Sequence, residues 1–294
     1  MKIGFSLLII ALLSAAAIPV LAQSPPTLRI ETETPGLPSE LFYGNIKVKP
    51  VRLRPGTNQV ITITDIDFFV QQQYIDFLGR MPDSTGFANW VATLSACPDG
   101  GFGENLNPSC DRVHVSAGFY LSTEFQGRGY FAYRFYDAAL GRRPTYKEFI
   151  PDMQKVGGAQ SPEQEVVSKN QYMNDFVLKD EFKAIYDGLN NQGYVDKLEQ
   201  TAGVTISNKA TLVNALNAGT QTRAQVLRTF IESQPVFDKF FNRGFVTMQY
   251  FGYLRRDPDT IGFKNWVDTL NADPSNFRHM IFGFIFSTEY LNRF

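Results

Sequence analysis

The sequence predicts a mainly all-α protein: a helical repeat array or bundle of about four helical-hairpin units, preceded by a signal peptide and a short N-terminal extended or β segment. Three observations predict it. The residues FVQQQYIDFLGRMPDSTGFANWVATL, Phe69 to Leu94, return as FVTMQYFGYLRRDPDTIGFKNWVDTL, Phe245 to Leu270, with 15 of 26 aligned positions identical. A second motif recurs four times, as GFYLSTEF at Gly118, DFVLKDEF at Asp175, TFIESQPVF at Thr229 and GFIFSTEY at Gly283. Its phenylalanines Phe119, Phe176, Phe230 and Phe284 lie 57, 54 and 54 residues apart, which sets the length of one unit. Between the motifs, apolar residues recur at helical spacing.

The chain opens MKIGFSLLIIALLSAAAIPVLAQS. One basic residue, an apolar run from Ile3 to Ala17 and the small-residue end Val20-Leu21-Ala22 describe a secretory signal peptide cut after Ala22. The run is shorter than the roughly 20 residues of a spanning helix and is followed by Pro19, which disfavours an anchor. Cleavage leaves 272 of the 294 residues and moves the formal charge from −1 to −2. A chain of that length can bury a substantial core, and its near-neutral charge gives no electrostatic reason to expect nucleic acid.

The next segment, SPPTLRIETETPGLPSELFYGN, is rich in Pro, Thr and Glu and reads as an extended or partly disordered leader. IKVKPVRLR (Ile46 to Arg54) and QVITIT (Gln59 to Thr64) read as short strands, and the leader with its strands is placed at 23–64. The basic face of the first is expected to be solvated. From Asp65 the period becomes helical: Ile66, Phe69, Val70, Gln73, Tyr74 and Phe77 line one face, with Thr64 or Asp65 placed to cap the start. Gly79 to Asp83 breaks this helix, and Phe87, Trp90, Val91 and Leu94 begin the next. The helical repeat domain is placed at 65–294, with units at 65–130, 131–190, 191–240 and 241–294. The opening motif is clear in the second unit, FAYRFYDAALGRRPTYKEF from Phe131, and degraded in the third, YVDKLEQTAGVTISNKATL from Tyr194.

The repeated residues are Tyr74, Leu78, Arg80, Pro82, Asp83, Gly86 and Trp90, matched by Tyr250, Leu254, Arg256, Pro258, Asp259, Gly262 and Trp266, with Arg142 and Pro144 in the second unit. Each has a structural reading. Proline ends the first helix, and the aspartate accepts from the free N–H groups that begin the second. Thr145 stands at the aspartate position of the second unit; it can cap but is a poor acid, base or metal ligand, so capping outweighs catalysis. Glycine in the first turn allows close helix approach. Arg80, Arg142 and Arg256 are expected to satisfy helix-end carbonyls or pair with a carboxylate of their own unit, because a feature copied to separate positions serves the unit itself. In the closing motif, Ser122 and Ser287 are expected caps, with Glu124 and Glu289 in the first turn.

Against the last unit, the first carries 11 extra residues within CPDGGFGENLNPSC, which holds both cysteines of the chain. In an exported protein, Cys97 and Cys110 are expected to form a disulfide. The rival metal site with His114 has only three soft ligands, two of which oxidation removes. The 26 Phe and 13 Tyr read as an aromatic core rather than a stacking surface for sugars.

Among enzyme signatures, no Gly-x-Ser-x-Gly elbow, His-Glu-x-x-His or phosphate loop occurs, and His114 and His279 read as incidental. No catalytic, cofactor-binding or metal-ligating residue and no cofactor is assigned. A carboxylate pair such as Asp83 with Glu124 keeps a glycosidase open as the alternative.

Through Leu-Gly-Arg-x-Pro-Asp-x-x-Gly-x-x-x-Trp and the later Phe-x-x-Ser-x-Glu-Phe/Tyr, the chain resembles the bacterial family called domain of unknown function 4214. It is especially similar to exported members ending in a MQYFGYLRR segment, here Met248 to Arg256. The resemblance spans about Asp65 to Phe294, strongest in the first and last units; Thr145 and Asp152 depart from the pattern. The hairpin is also loosely similar to the scaffolding linker domains of phycobilisomes. The family implies helical extracellular or cell-surface proteins with no assigned activity. The expected function is a non-catalytic, exported binding or scaffolding module, secreted or held at the cell surface, with polysaccharide or protein as partner and no transmembrane span after cleavage; in a further reading the units only carry residues 23–64.

Overall fold

The computed structural model describes residues 28–31, 40–47, 59, 61–102, 107–157, 159 and 161–294. The signal peptide expected at 1–22 lies outside them. Each unit contributes a comparable run of helices. The first holds α1 (Ile66–Gln73), α2 (Ser84–Ser95), α3 (Arg112–Leu121) and α4 (Thr123–Gly127). The second holds α5 (Gly129–Phe135), α6 (Tyr146–Gly157), α7 (Pro162–Phe176) and α8 (Asp180–Tyr186). The third holds α9 (Asn191–Ala202), α10 (Lys209–Asn217) and α11 (Arg223–Ile231). Helix α12 (Gln234–Gln249) then closes the third unit and opens the fourth, which continues with α13 (Thr260–Ala272), α14 (Phe277–Ile285) and α15 (Thr288–Leu291).

One local device recurs. The first helix of units one, two and four ends in a five-residue π turn, at Tyr74–Leu78, Tyr136–Leu140 and Tyr250–Leu254. A left-handed residue follows: Gly79 (φ 67°), Gly141 (φ 69°) and Arg255 (φ 51°). Glycine adopts that conformation freely, whereas for arginine it costs roughly 1–2 kcal/mol.

The units do not follow one another as a solenoid. One core joins the first and last: Phe69, Phe77, Leu94 and Phe119 pack with Val246, Tyr253, Met280 and Ile285. Phe77 and Tyr253 hold the same position in their repeats, and their rings meet edge-on at 5.4 Å. Gly252 makes the approach possible, since a Cβ there would lie 3.0 Å from the Phe77 ring. Tyr120 stacks on Phe245 at 4.0 Å, and the Tyr253 hydroxyl donates to Gln73 Oε1 at 3.0 Å. A second core joins units two and three through Phe135, Phe176, Tyr186, Tyr194, Leu227 and Phe230. The other face of α6, carrying Phe149 and Met153, belongs to the first core, so the second unit ties the two together.

The N-terminal strands differ from expectation. Leu28–Glu31, Glu40–Tyr43 and Ile46–Lys47 form a three-stranded antiparallel sheet, so part of the expected disordered leader is paired. Gly44 (φ 58°) and Asn45 supply the tight turn, a hairpin signal that the Pro-rich composition obscured. The strand expected over Ile46 to Arg54 is observed only at its first two residues, the rest lying outside the described residues. That expected over Gln59 to Thr64 is not formed where the chain is described. Instead Thr62 N–H donates to the Asp65 carboxylate at 2.7 Å, and Arg112 takes the carbonyls of Ile63 and Thr64, so these backbone groups are bonded locally rather than to a strand partner. Asp65 holds the N-cap position of α1 but its side chain makes no capping bond there.

Candidate functional site

The repeated residues converge on a clasp that joins the two ends of units one, two and four. In the first, Arg80 donates from Nε and Nη2 to the two oxygens of Glu124, at 2.7 and 2.8 Å. In the second, Arg142 holds Glu181 at 2.8 and 2.6 Å, and in the fourth Arg256 holds Glu289 at 2.6 and 2.9 Å. Each guanidinium also donates to a carbonyl just beyond it, that of Met81, Arg143 or Asp257. Each covers the π-turn tyrosine of its own unit, 5.0 Å from Tyr74, 5.4 Å from Tyr136 and 5.3 Å from Tyr250. Those tyrosines meet Phe119, Phe176 and Phe284 edge-on at 4.8, 5.3 and 4.8 Å. Opening and closing motifs are thus two halves of one contact, and the bidentate pairing raises the affinity of Arg80 and Arg256 for their protons.

Asp83 and Asp259 cap α2 and α13, accepting from Gly86 N–H and Gly262 N–H at 2.7 Å each. Those N–H bonds hold both carboxyls below the usual aspartate range. The two glycines are required because a Cβ at either would collide with the hydroxyl of Tyr74 or Tyr250. In the second unit the position is Glu148, and the Tyr136 hydroxyl turns instead to Asp152, at 2.6 Å, where the other units carry Trp90 and Trp266. Thr145 caps with Glu148, whose carboxylate accepts from Thr145 N–H at 2.8 Å. Ser122 and Ser287 cap α4 and α15. Leu78, Pro144 and Pro258 are buried, Leu254 and Pro82 half-buried. Trp90 and Trp266 lie against Phe119 and Phe284, beside His114 and His279. In the third unit, the residue after left-handed Gly203 is Val204, and Pro235 stands where the closing glutamate would be; both halves of the clasp are gone together.

Cys97 and Cys110 are joined by a disulfide, with Cα atoms 5.6 Å apart. Among the described residues, no three His, Cys, Asp or Glu side chains gather as a metal site, and no helix is long and apolar enough to cross a membrane. Arg112 carries no sequence signal, yet it is fully buried. It donates to the carbonyls of Ile63, Thr64 and Gly100 and lies 4.5 Å from the Phe69 ring, fixing the cysteine loop to the entrance of α1. Burial pulls its guanidinium down to about 10.

Where the Arg142–Thr145 and Arg255–Pro258 loops face one another, two cavities of about 470 and 740 Å³ adjoin, sharing Thr145 and Asp257 as lining. Asp257 accepts from Tyr146 N–H at 2.5 Å across the junction. Arg143 lies 3.7 Å from the face of the Phe263 ring. Arg243 grips the buried Asp137 at 3.0 and 2.8 Å, while Arg255 and Arg293 share the buried Asp76 at 2.9 and 3.3 Å. None of these pairs belongs to the repeated motif.

The fold and the clasp define a helical repeat protein in which three of the four units share one closing device. Residues 236–294, which take in the fourth unit and the end of the third, match the family described as a domain of unknown function (DUF4214). No curated protein and no solved structure matches the chain.

Proposed function

We propose that the protein is an exported, non-catalytic binding or scaffolding module of the cell surface or its surrounding matrix. The observation that carries this reading is the engagement of the repeated acids. Asp83 and Glu124, the pair a glycosidase would need, are both held by Arg80, and Asp83 also caps α2. A general acid needs its carboxyl pushed up and a nucleophile needs a free oxygen; Asp83 is instead pulled down. The disulfide fits an oxidising compartment, which agrees with export. Folding the array back on itself presents grooves between units to a partner.

The test is binding of purified protein to isolated cell envelopes and their extracted polysaccharides at low and high salt, with released sugar assayed in parallel. Saturable binding without product is the expected result. Sugar release abolished by Glu124→Gln would overturn it in favour of a carbohydrate-active enzyme.

A further inference from the structure

We propose that the groove between the second and fourth units binds an acidic oligosaccharide, seating its carboxylates on the guanidinium groups of Arg143, Arg255 and Arg293. The inference rests on the surface-binding reading above and names the ligand class for it.

The first argument is the position of Arg143, Lys147 and Arg255 in the repeat; Arg293, by contrast, has a counterpart in Arg128 of the first unit. Arg143 stands where the other clear copies have Met81 and Asp257, Lys147 where they have Thr85 and Ile261, and Arg255 where they have Gly79 and Gly141. Residues common to the copies serve the unit, so cations found in one copy only, and gathered from two copies on one groove, call for another explanation. Arg255 also occupies the left-handed conformation at a cost that glycine would avoid. Its contact with Asp76 compensates in part, but Asp76 already faces Arg293, so two guanidiniums share one carboxylate.

The second argument is charge. The walls of the two cavities carry seven cationic side chains and only two carboxylates, Asp257 and Glu289. Asp76 and Asp137, which orient the guanidiniums, lie beneath the surface with side chains 1 % exposed. Arg142 and Arg256 are already neutralised in their clasps, by Glu148 and Glu181 and by Glu289, so the positive charge of the groove rests on Arg143, Lys147 and the two guanidiniums that share Asp76. The last two are fixed in place, which limits the ordering cost of binding. The third is unsatisfied bonding: Arg143 Nη1 and Arg255 Nε are buried and, among the described residues, donate to no acceptor. A carboxylate supplies the missing acceptors in the planar geometry a guanidinium favours. Burial, with Arg243 beside it, lowers the proton affinity of Arg143, and burial with Arg255 does the same for Arg293. An anion between them relieves both.

A sugar chain fits better than a peptide. The groove is built from helix ends and loops, offers no sheet edge for strand addition, and its walls are too cationic to receive an apolar helix face. Each cavity has the size of a small-ligand site, and together they admit more than one sugar ring.

The experiment is calorimetric titration of the mature protein with a galacturonic acid oligomer, the neutral galactose oligomer, poly-glutamate and inorganic phosphate. The acidic oligomer is expected to bind saturably, weakening with salt, and the neutral one not to bind. Arg143→Ala and Arg255→Gly are expected to lower affinity at least tenfold; the second places glycine where two other units have it, so the fold is kept. Lys197→Ala on α9, outside the groove lining, is the unchanged control. Failure of the acidic oligomer to bind, or undiminished affinity in both groove variants, overturns the groove assignment; envelope binding that persists alongside leaves the surface-binding reading standing. Equal affinity for poly-glutamate or phosphate overturns the sugar assignment. Release of galacturonate would count against the non-catalytic reading while leaving the groove as its site.

Discussion

The first and third units have the same succession of helices but opposite histories of sequence. Unit one keeps the whole clasp, Tyr74, Arg80, Glu124 and Phe119, and packs directly on unit four, which keeps it too. Unit three has lost both Arg and Glu, yet α9, α10 and α11 still form around Tyr194, Leu198, Leu212, Val226 and Phe230. Apolar periodicity is therefore enough to build a unit. The clasp fixes the angle at which its two ends close, and it persists in the units that meet in the joint core.

The strongest way to break the comparison is at that joint. Phe77→Ala should cost roughly 3–5 kcal/mol, seen as a lower denaturant midpoint, because the ring is fully buried against Tyr253. The second unit carries Ala139 at the same position, so the cost measures the joint and not the hairpin. Reducing Cys97–Cys110 removes a constraint found only in unit one and should cost roughly 3 kcal/mol, read by unfolding with and without reductant.

Smaller effects sharpen the contrast between clasps. Glu124→Gln should cost about 1–2 kcal/mol and Glu289→Gln less than about 1 kcal/mol, because side-chain exposure of the pair is 28 % and 24 % in unit one but 42 % and 47 % in unit four. Acid titration should weaken the second unit through Glu148. Burial pushes the Glu148 carboxyl up, but the Arg142 fork and the Thr145 bonds overcome this and bring it from 4.5 to about 2. A depressed folded value means that its contribution is present above about 4.5 and is lost as pH falls toward 2, visible as a progressive drop in melting temperature that is smaller in Glu148→Gln.

Much of this was legible in the sequence. The hairpins, the caps at Asp83 and Ser122, the arginine pairing and the disulfide all follow from local chemistry that recurs or from residues a short distance apart. The sheet at Leu28–Lys47 was hidden because Pro, Thr and Glu are frequent between its strands while the turn at Gly44-Asn45 is only two residues long. The meeting of units one and four was not readable, since periodicity fixes which face of a helix is buried but not which unit covers it. The cationic groove escaped for a related reason. Arg143, Lys147 and Arg255 lie at positions where the copies disagree, and a search for what the copies share passes over them.

That division, shared residues for stability and unshared cations for binding, is the central claim. Its most direct test measures melting temperature and affinity for a galacturonic acid oligomer in Glu124→Gln and Arg143→Ala side by side. The account predicts that the first variant melts lower with affinity unchanged, while the second loses affinity at least tenfold with melting nearly unchanged. A loss of affinity in Glu124→Gln with none in Arg143→Ala would contradict it.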